Sequence, residues 1–116
     1  MDERAEVEAL LPLTDLAFTI LVSLAAGPLH GYGLIKALRE LKGRKSLRTG
    51  TVYAALARLE EDGLLEEVDP PADGDRRRRY YDLTPRGSSA ARAEALRLDG
   101  VLGLARERDL LQGSGS

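Results

Sequence analysis

The stretch TGTVYAALARLEEDG, residues 49–63, decides how this chain folds. Val52, Ala55, Leu56 and Leu59 recur at spacings of three and four, which places them on one side of a helix. Thr49 stands where an N-cap is wanted, and Asp62-Gly63 where a helix stops. At about 100° per residue, the opposite side carries Gly50, Ala54 and Ala57, flanked by Thr51, Tyr53 and Arg58. The predicted helix, residues 50–62, therefore has an apolar inner face and a small outer face without charge at its centre. Such a face suits close approach to another macromolecule; the plainer alternative is a core helix with alanines on its exposed side.

Two more helices precede it. Leu13, Leu16, Ala17, Ile20, Leu21 and Leu24 form one apolar stripe, with Thr14 as N-cap, Asp15 at the positive end of the helix dipole and Gly27-Pro28 as the stop. That helix is predicted over residues 15–26. Leu34, Ile35, Leu38 and Leu41 repeat the stripe over residues 31–42, and Gly43 occupies the position of a left-handed C-cap. After Gly63, residues 64–69 and 77–84 flank the turn-rich PPADGD, residues 70–75, and are expected to form a hairpin with arginines at its loop end.

Thr84-Pro85 supplies an N-cap and a proline at the first helical position, opening a long final helix. Ala91, Ala95, Leu98, Leu102 and Ala105 mark its seam, and Leu96 and Leu104 make it apolar on a second side. One side can pack on its own domain while the other needs a partner. Leu98, Leu102 and Ala105 are thus candidate dimerisation residues, with Val7, Leu10 and Leu11 of the N-terminal arm candidates to cover the joint. Gly100 and Gly103 weaken the far end, and residues 112–116, QGSGS, are expected to form a flexible tail. The expected fold class is mainly α with a small β-hairpin, a winged helix-turn-helix followed by a dimerisation helix. The domain organisation is a winged helix unit with an N-terminal arm over residues 1–84, the last helix over 85–111 as part of the same compact unit, and the tail.

The formal net charge of −2 argues against a nucleic-acid partner, but the distribution matters more than the sum. Residues 36–58 hold seven basic side chains, Lys36, Arg39, Lys42, Arg44, Lys45, Arg48 and Arg58, against one acid, Glu40. Arg76, Arg77, Arg78 and Arg79 form a second, uninterrupted run, while the acids gather at the N-terminus and over residues 60–62 and 66–75. A helix-turn-helix lays its second helix in the major groove with its N-terminal residues at the base edges. In that arrangement Thr49 and Thr51 offer hydroxyls, Lys45, Ser46, Arg48 and Arg58 add to the surface, and Glu60, Glu61 and Asp62 point away from phosphates. The wing arginines would lie on the DNA backbone or in the minor groove. Alternation along a strand would send Arg77 and Arg79 to one side and Arg76 and Arg78 to the other, with some paired to Asp73, Asp75 or acids of the neighbouring strand.

Other classes find little support. There is no cysteine, which removes disulfides, thiolate catalysis and cysteine metal sites and suits a cytoplasmic protein. The longest apolar stretch, residues 16–26, is interrupted by Thr19 and Ser23 and falls short of the roughly 20 residues of a membrane span. The only histidine, His30, sits at a helix start where capping explains it as well as catalysis does, and no second histidine is present for a two-histidine metal site. No cofactor is expected, and an enzyme is not.

Three segments resemble the PadR-like transcriptional regulators: GPLHGY at residues 27–32, TGTVYAALARLEEDGL at 49–64 and RRRYYDLT at 77–84. The resemblance runs from Leu13 to about Leu98. It implies a homodimer joined through the last helix, binding palindromic operator DNA through the third helix and the wing, and usually repressing transcription. Carried over by position, Thr49, Thr51, Tyr53, Arg58 and the wing arginines are the DNA-contacting set. The chain departs from the common pattern at Ala54 and Thr49, where prolines are frequent, at Gly33 and at Ala17. The resemblance also implies a small-molecule effector, for which a cleft between the N-terminal arm, Phe18 of the first helix and the last helix is the candidate. A winged helix serving only as a protein-protein interaction module is the alternative.

Overall fold

A computed structural model describes residues 2–41 and 43–111. Its elements are α1 (Glu3–Glu8), α2 (Asp15–Leu24), β1 (Leu29–His30), α3 (Gly31–Arg39), α4 (Thr49–Glu61), β2 (Leu65–Val68), β3 (Tyr80–Leu83) and α5 (Pro85–Glu107). The three apolar stripes meet as expected. Ile20, Leu21 and Leu24 of α2, Leu34, Ile35 and Leu38 of α3, and Val52, Leu56 and Leu59 of α4 form one buried cluster, closed by Leu64, Leu65, Tyr81 and Ala90. Each side chain of this size contributes about 1.5–3 kcal/mol when withdrawn from water, so the three-helix unit is held chiefly by this cluster.

Caps define the helix starts. Ala17 N–H donates to Thr14 Oγ1 at 3.0 Å, and Gly87 N–H donates to Thr84 Oγ1 at 2.9 Å, with Pro85 opening α5. His30 caps α3, its Nδ1 accepting from Gly33 N–H at 2.9 Å. Gly43 adopts the expected left-handed conformation with φ of 81°. The first two main helices are shorter than the sequence suggests: α2 ends at Leu24 rather than residue 26, and α3 at Arg39. Lys42, the expected end of α3, lies outside the described residues, as does the expected tail over 112–116.

The sheet has three strands in the order β1-β3-β2, antiparallel throughout, rather than a bare hairpin. Leu29 pairs with Tyr81 and His30 with Tyr80 on one side of β3; Leu65 pairs with Leu83 and Val68 with Tyr80 on the other. Thr84, between β3 and α5, ties the helix start to the turn after α4, its hydroxyl donating to Gly63 O at 2.6 Å while accepting from Gly87 N–H.

The docking face of α5 differs from the expected seam. Gly87, Ala90 and Glu94 are its buried residues, whereas Ala91 is half-buried and Ala95 exposed. Glu94, only 1% exposed, accepts from Leu13 N–H at 2.9 Å and from Arg97 Nε at 2.5 Å, tying α5 to the segment that leads into α2. The N-terminal arm holds the short helix α1, whose Val7 is buried against its own chain instead of waiting for a partner. Beyond Glu94 no described residue of α5 is buried: Leu98 and Ala105 are half-buried, and Leu96, Val101, Leu102 and Leu104 are exposed. Among the described residues no helix is long and apolar enough to cross a membrane.

Candidate nucleic-acid interface

Helix α4 presents its outer face as the periodicity predicts. Val52, Leu56 and Leu59 are buried, while Gly50, Thr51, Tyr53, Ala54, Ala57 and Arg58 are exposed. The helix begins one residue early, however, with Arg48 rather than Thr49 at the N-cap and no side chain capping its amides. Thr49 is instead the first helical residue, and its hydroxyl accepts from Arg39 Nη2 at 3.4 Å. Arg39 Nε also donates to Leu47 O at 3.0 Å. From α3 this arginine therefore fixes the turn that leads into α4, a positioning role that its place in a basic run does not reveal.

The basic surface is smaller than the count of charges suggests. Arg44 is withdrawn from it, paired with Asp15 and donating to Thr19 Oγ1 at 3.2 Å. Lys45, Ser46, Arg48 and Arg58 are exposed and have no side-chain partner among the described residues. They border the start and outer side of α4, while Glu60 and Glu61 are exposed at its far end.

The four wing arginines lie in the loop before β3, so the expected strand alternation does not apply to them. Asp75 organises that loop. Its carboxylate accepts from Arg77 N–H at 3.0 Å and from Arg77 Nε at 3.2 Å, and lies 3.5 Å from Arg78 Nε. The Arg77 backbone N–H, then its guanidinium, hold the Asp75 carboxyl below the usual carboxylate range, and Asp75 in turn raises Arg77. Arg79 pairs with Glu67 of β2 at 3.5 Å. Arg76 alone of the four lacks a carboxylate partner among the described residues.

Tyr53 is placed differently from the rest of the α4 face. A Cβ at Gly31 would come within 2.6 Å of its hydroxyl, so the tyrosine ring lies against the start of α3 and a larger residue there would push it aside. There it lines a small pocket of about 260 Å³ with His30, Tyr32, Tyr81, Arg78 and Arg79. The Arg78 guanidinium sits 5.4 Å from the centre of the Tyr32 ring, in cation-π range, which links the wing to α3. Neither Tyr32 nor this pocket was legible from spacing. A separate groove of about 600 Å³ runs between α1 and α5 past Val7, Leu11, Ala93 and Leu96; Phe18, half-buried on α2, does not line it.

Comparisons with known proteins agree with this architecture. The model of the "Transcriptional regulator PadR-like family" matches residues 20–93. An uncharacterized 37.1 kDa protein in transposon Tn4556 of Streptomyces fradiae is 38% identical over 81 residues, covering 70% of this chain. The chain spans about a fifth (22%) of that relative's length. A PadR-like transcriptional regulator from Bacillus cereus superposes with a TM-score of 0.70 at 22% identity, over 95% of this chain and 99% of the other. A PadR family transcription regulator from Clostridium difficile does so at 0.66 and 24%, over 79% and 95% of the two chains. At these identities the structural likeness speaks to the fold.

Proposed function

Because the chain belongs to the PadR-like family of transcriptional regulators, we propose that it binds duplex DNA as a homodimer in the cytoplasm and represses transcription from palindromic operators. The observation that carries this reading is the exposed, small outer face of α4, bordered at its start by Lys45 and Arg48, flanked in its last turn by Arg58, and ended by acids. Thr51 and Arg58 meet base edges in the major groove, Thr49 steadies the helix start, and Arg76 and Arg77 of the wing meet phosphates. Selection of bound sequences from a random duplex pool tests DNA binding and delivers the operator together. Recovery of no enriched sequence, with no salt-dependent binding to random duplex, would leave the protein-interaction reading in its place.

Helix and wing divide the labour in a way that mutants separate. On a selected duplex, Thr51→Ala and Arg58→Ala are expected to cost about 1–3 kcal/mol and to relax preference at single positions. Arg76→Ala is expected to weaken specific and random duplexes alike and to lower the salt slope by roughly one. Equal loss of specificity in Arg76→Ala would mean that the wing reads sequence.

The homodimer rests on the distal face of α5. Residues 87, 90, 94, 98, 101 and 105 share one side of the helix by steps of three and four; the first three are buried within the chain, and the face continues past its own domain as Leu98, Val101 and Ala105, with Leu102 beside it. Leu98→Glu puts an uncompensated charge in that joint and is expected to shift the protein to monomers, read by sedimentation at micromolar concentration. A folded monomer in the parent protein under those conditions would remove the dimer from this proposal. An effector of the kind the family resemblance implies would find a space of suitable size in the groove of about 600 Å³ between α1 and α5.

A further inference from the structure

We propose that the pocket between α3, α4 and the wing is an anion site that seats one backbone phosphate of the bound duplex, with Tyr32 as a direct contact. The inference rests on the DNA-binding reading above and extends it to a residue outside the basic runs. Its first support is chemical. The polar side chains lining the pocket are tyrosines 32, 53 and 81, His30, Arg78 and Arg79, and none is a carboxylate. Asp75 and Glu67, which pair with the two arginines, are not among the lining residues. His30 spends its Nδ1 on Gly33 N–H, so Nε2 carries the ring's proton as a donor.

Size and position supply the rest. At about 260 Å³ the space admits a phosphate group but falls below the roughly 300–1,000 Å³ usual for drug-sized ligands. Tyr53 brings the pocket to the flank of α4, so a helix laid in the major groove carries the adjacent backbone across its mouth. Tyr32 is 57% exposed yet held against Arg78, an amphipathic ring kept in place with its hydroxyl unpartnered among the described residues. A tyrosine so placed can donate to a phosphate oxygen while the guanidinium supplies the charge.

The test uses the full chain, a duplex taken from selection, and versions of that duplex carrying a neutral methylphosphonate at one backbone position each. Tyr32→Phe should leave the thermal melt unchanged and weaken binding to the unmodified duplex about tenfold. One methylphosphonate position should weaken the parent and shrink its advantage over Tyr32→Phe, because the negative charge that strengthens the contact is then gone. Equal binding by parent and variant to the unmodified duplex overturns the proposal, as does a Tyr32→Phe penalty that persists undiminished at every methylphosphonate position. Titration with inorganic phosphate, followed by NMR in the parent and in Arg78→Ala, separates the sources of the anion. Phosphate binding without any duplex binding would assign the pocket to a free phosphorylated ligand and overturn the backbone assignment. Absence of both would remove the site together with the DNA reading, whereas duplex binding that ignores Tyr32 removes the site alone.

Discussion

Gly87→Ala is expected to destabilise the fold by at least about 3 kcal/mol, beyond what overpacking usually costs, because the added methyl meets backbone rather than a side chain that could turn aside. An ideal Cβ at this position would lie 1.8 Å from Leu64 O and 2.8 Å from Leu64 C. Relief requires the first turn of α5 to withdraw from the junction of α4 and β2. That movement also breaks the two bonds through the Thr84 hydroxyl, to Gly63 O and from Gly87 N–H. Denaturant titration reads the loss. Gly100→Ala in the same helix is the internal contrast: nothing lies within 4 Å of its added Cβ, so relief of glycine's poor helix propensity should stabilise by about 1 kcal/mol. Similar midpoints for the parent and Gly87→Ala would show that α5 can dock in more than one position.

Glu94→Gln is the second large effect, expected to cost about 2–3 kcal/mol at neutral pH. The amide can still accept from Leu13 N–H but gives up the charged pair, leaving Arg97 without its partner; that Arg97 is 42% exposed keeps the penalty below that of a fully buried pair. Hydrogen bonding from Arg97 holds the Glu94 carboxyl below its ordinary value near 4.5, with Leu13 N–H adding to this against the opposing effect of burial. A group depressed on folding contributes stability that is complete above its unfolded value and disappears as the pH falls through the folded one. The parent's advantage over Glu94→Gln should therefore be full at pH 7 and shrink on acidification below about 4.5. Denaturant midpoints across that range check it. A difference that stays constant would assign the cost to shape rather than charge.

Much of this molecule was legible because its helices obey a simple rule. Buried positions in α2, α3 and α4 recur at three and four, so the stripes identified both the core and, by subtraction, the exposed side of α4. Thr14 and Thr84 announced their caps for the same reason: the signal is local. What escaped notice depends on contacts distant in sequence. β1 is two residues long and exists only because Leu29 and His30 find β3 some fifty residues later, and the pocket around Tyr32 follows from that pairing. α1 is too short to persist alone and is carried by Val7 against the rest of the chain. Glu94 was missed because a search for apolar spacing passes over an acid in the docking face; the available clue was an acid in step with Gly87 and Ala90, followed three residues later by Arg97. The arginine run has the look of a strand because it leads directly into Tyr80-Tyr81, but Asp75 folds it into a turn first.

The joint between β3 and α5 consists of Thr84 alone, since the strand ends at Leu83 and the helix begins at Pro85. The wing strand and the long helix thus meet at one corner, pinned to Gly63 by the threonine hydroxyl. A tilt of α5 would pull on Thr84 and through it on β3, the strand that carries the wing loop. The corner also sets phase: one residue inserted after Thr84 would turn every distal side chain of α5 by about 100° relative to the wing. Whatever α5 rests against, that surface and the arginines opposite are gauged by a single residue.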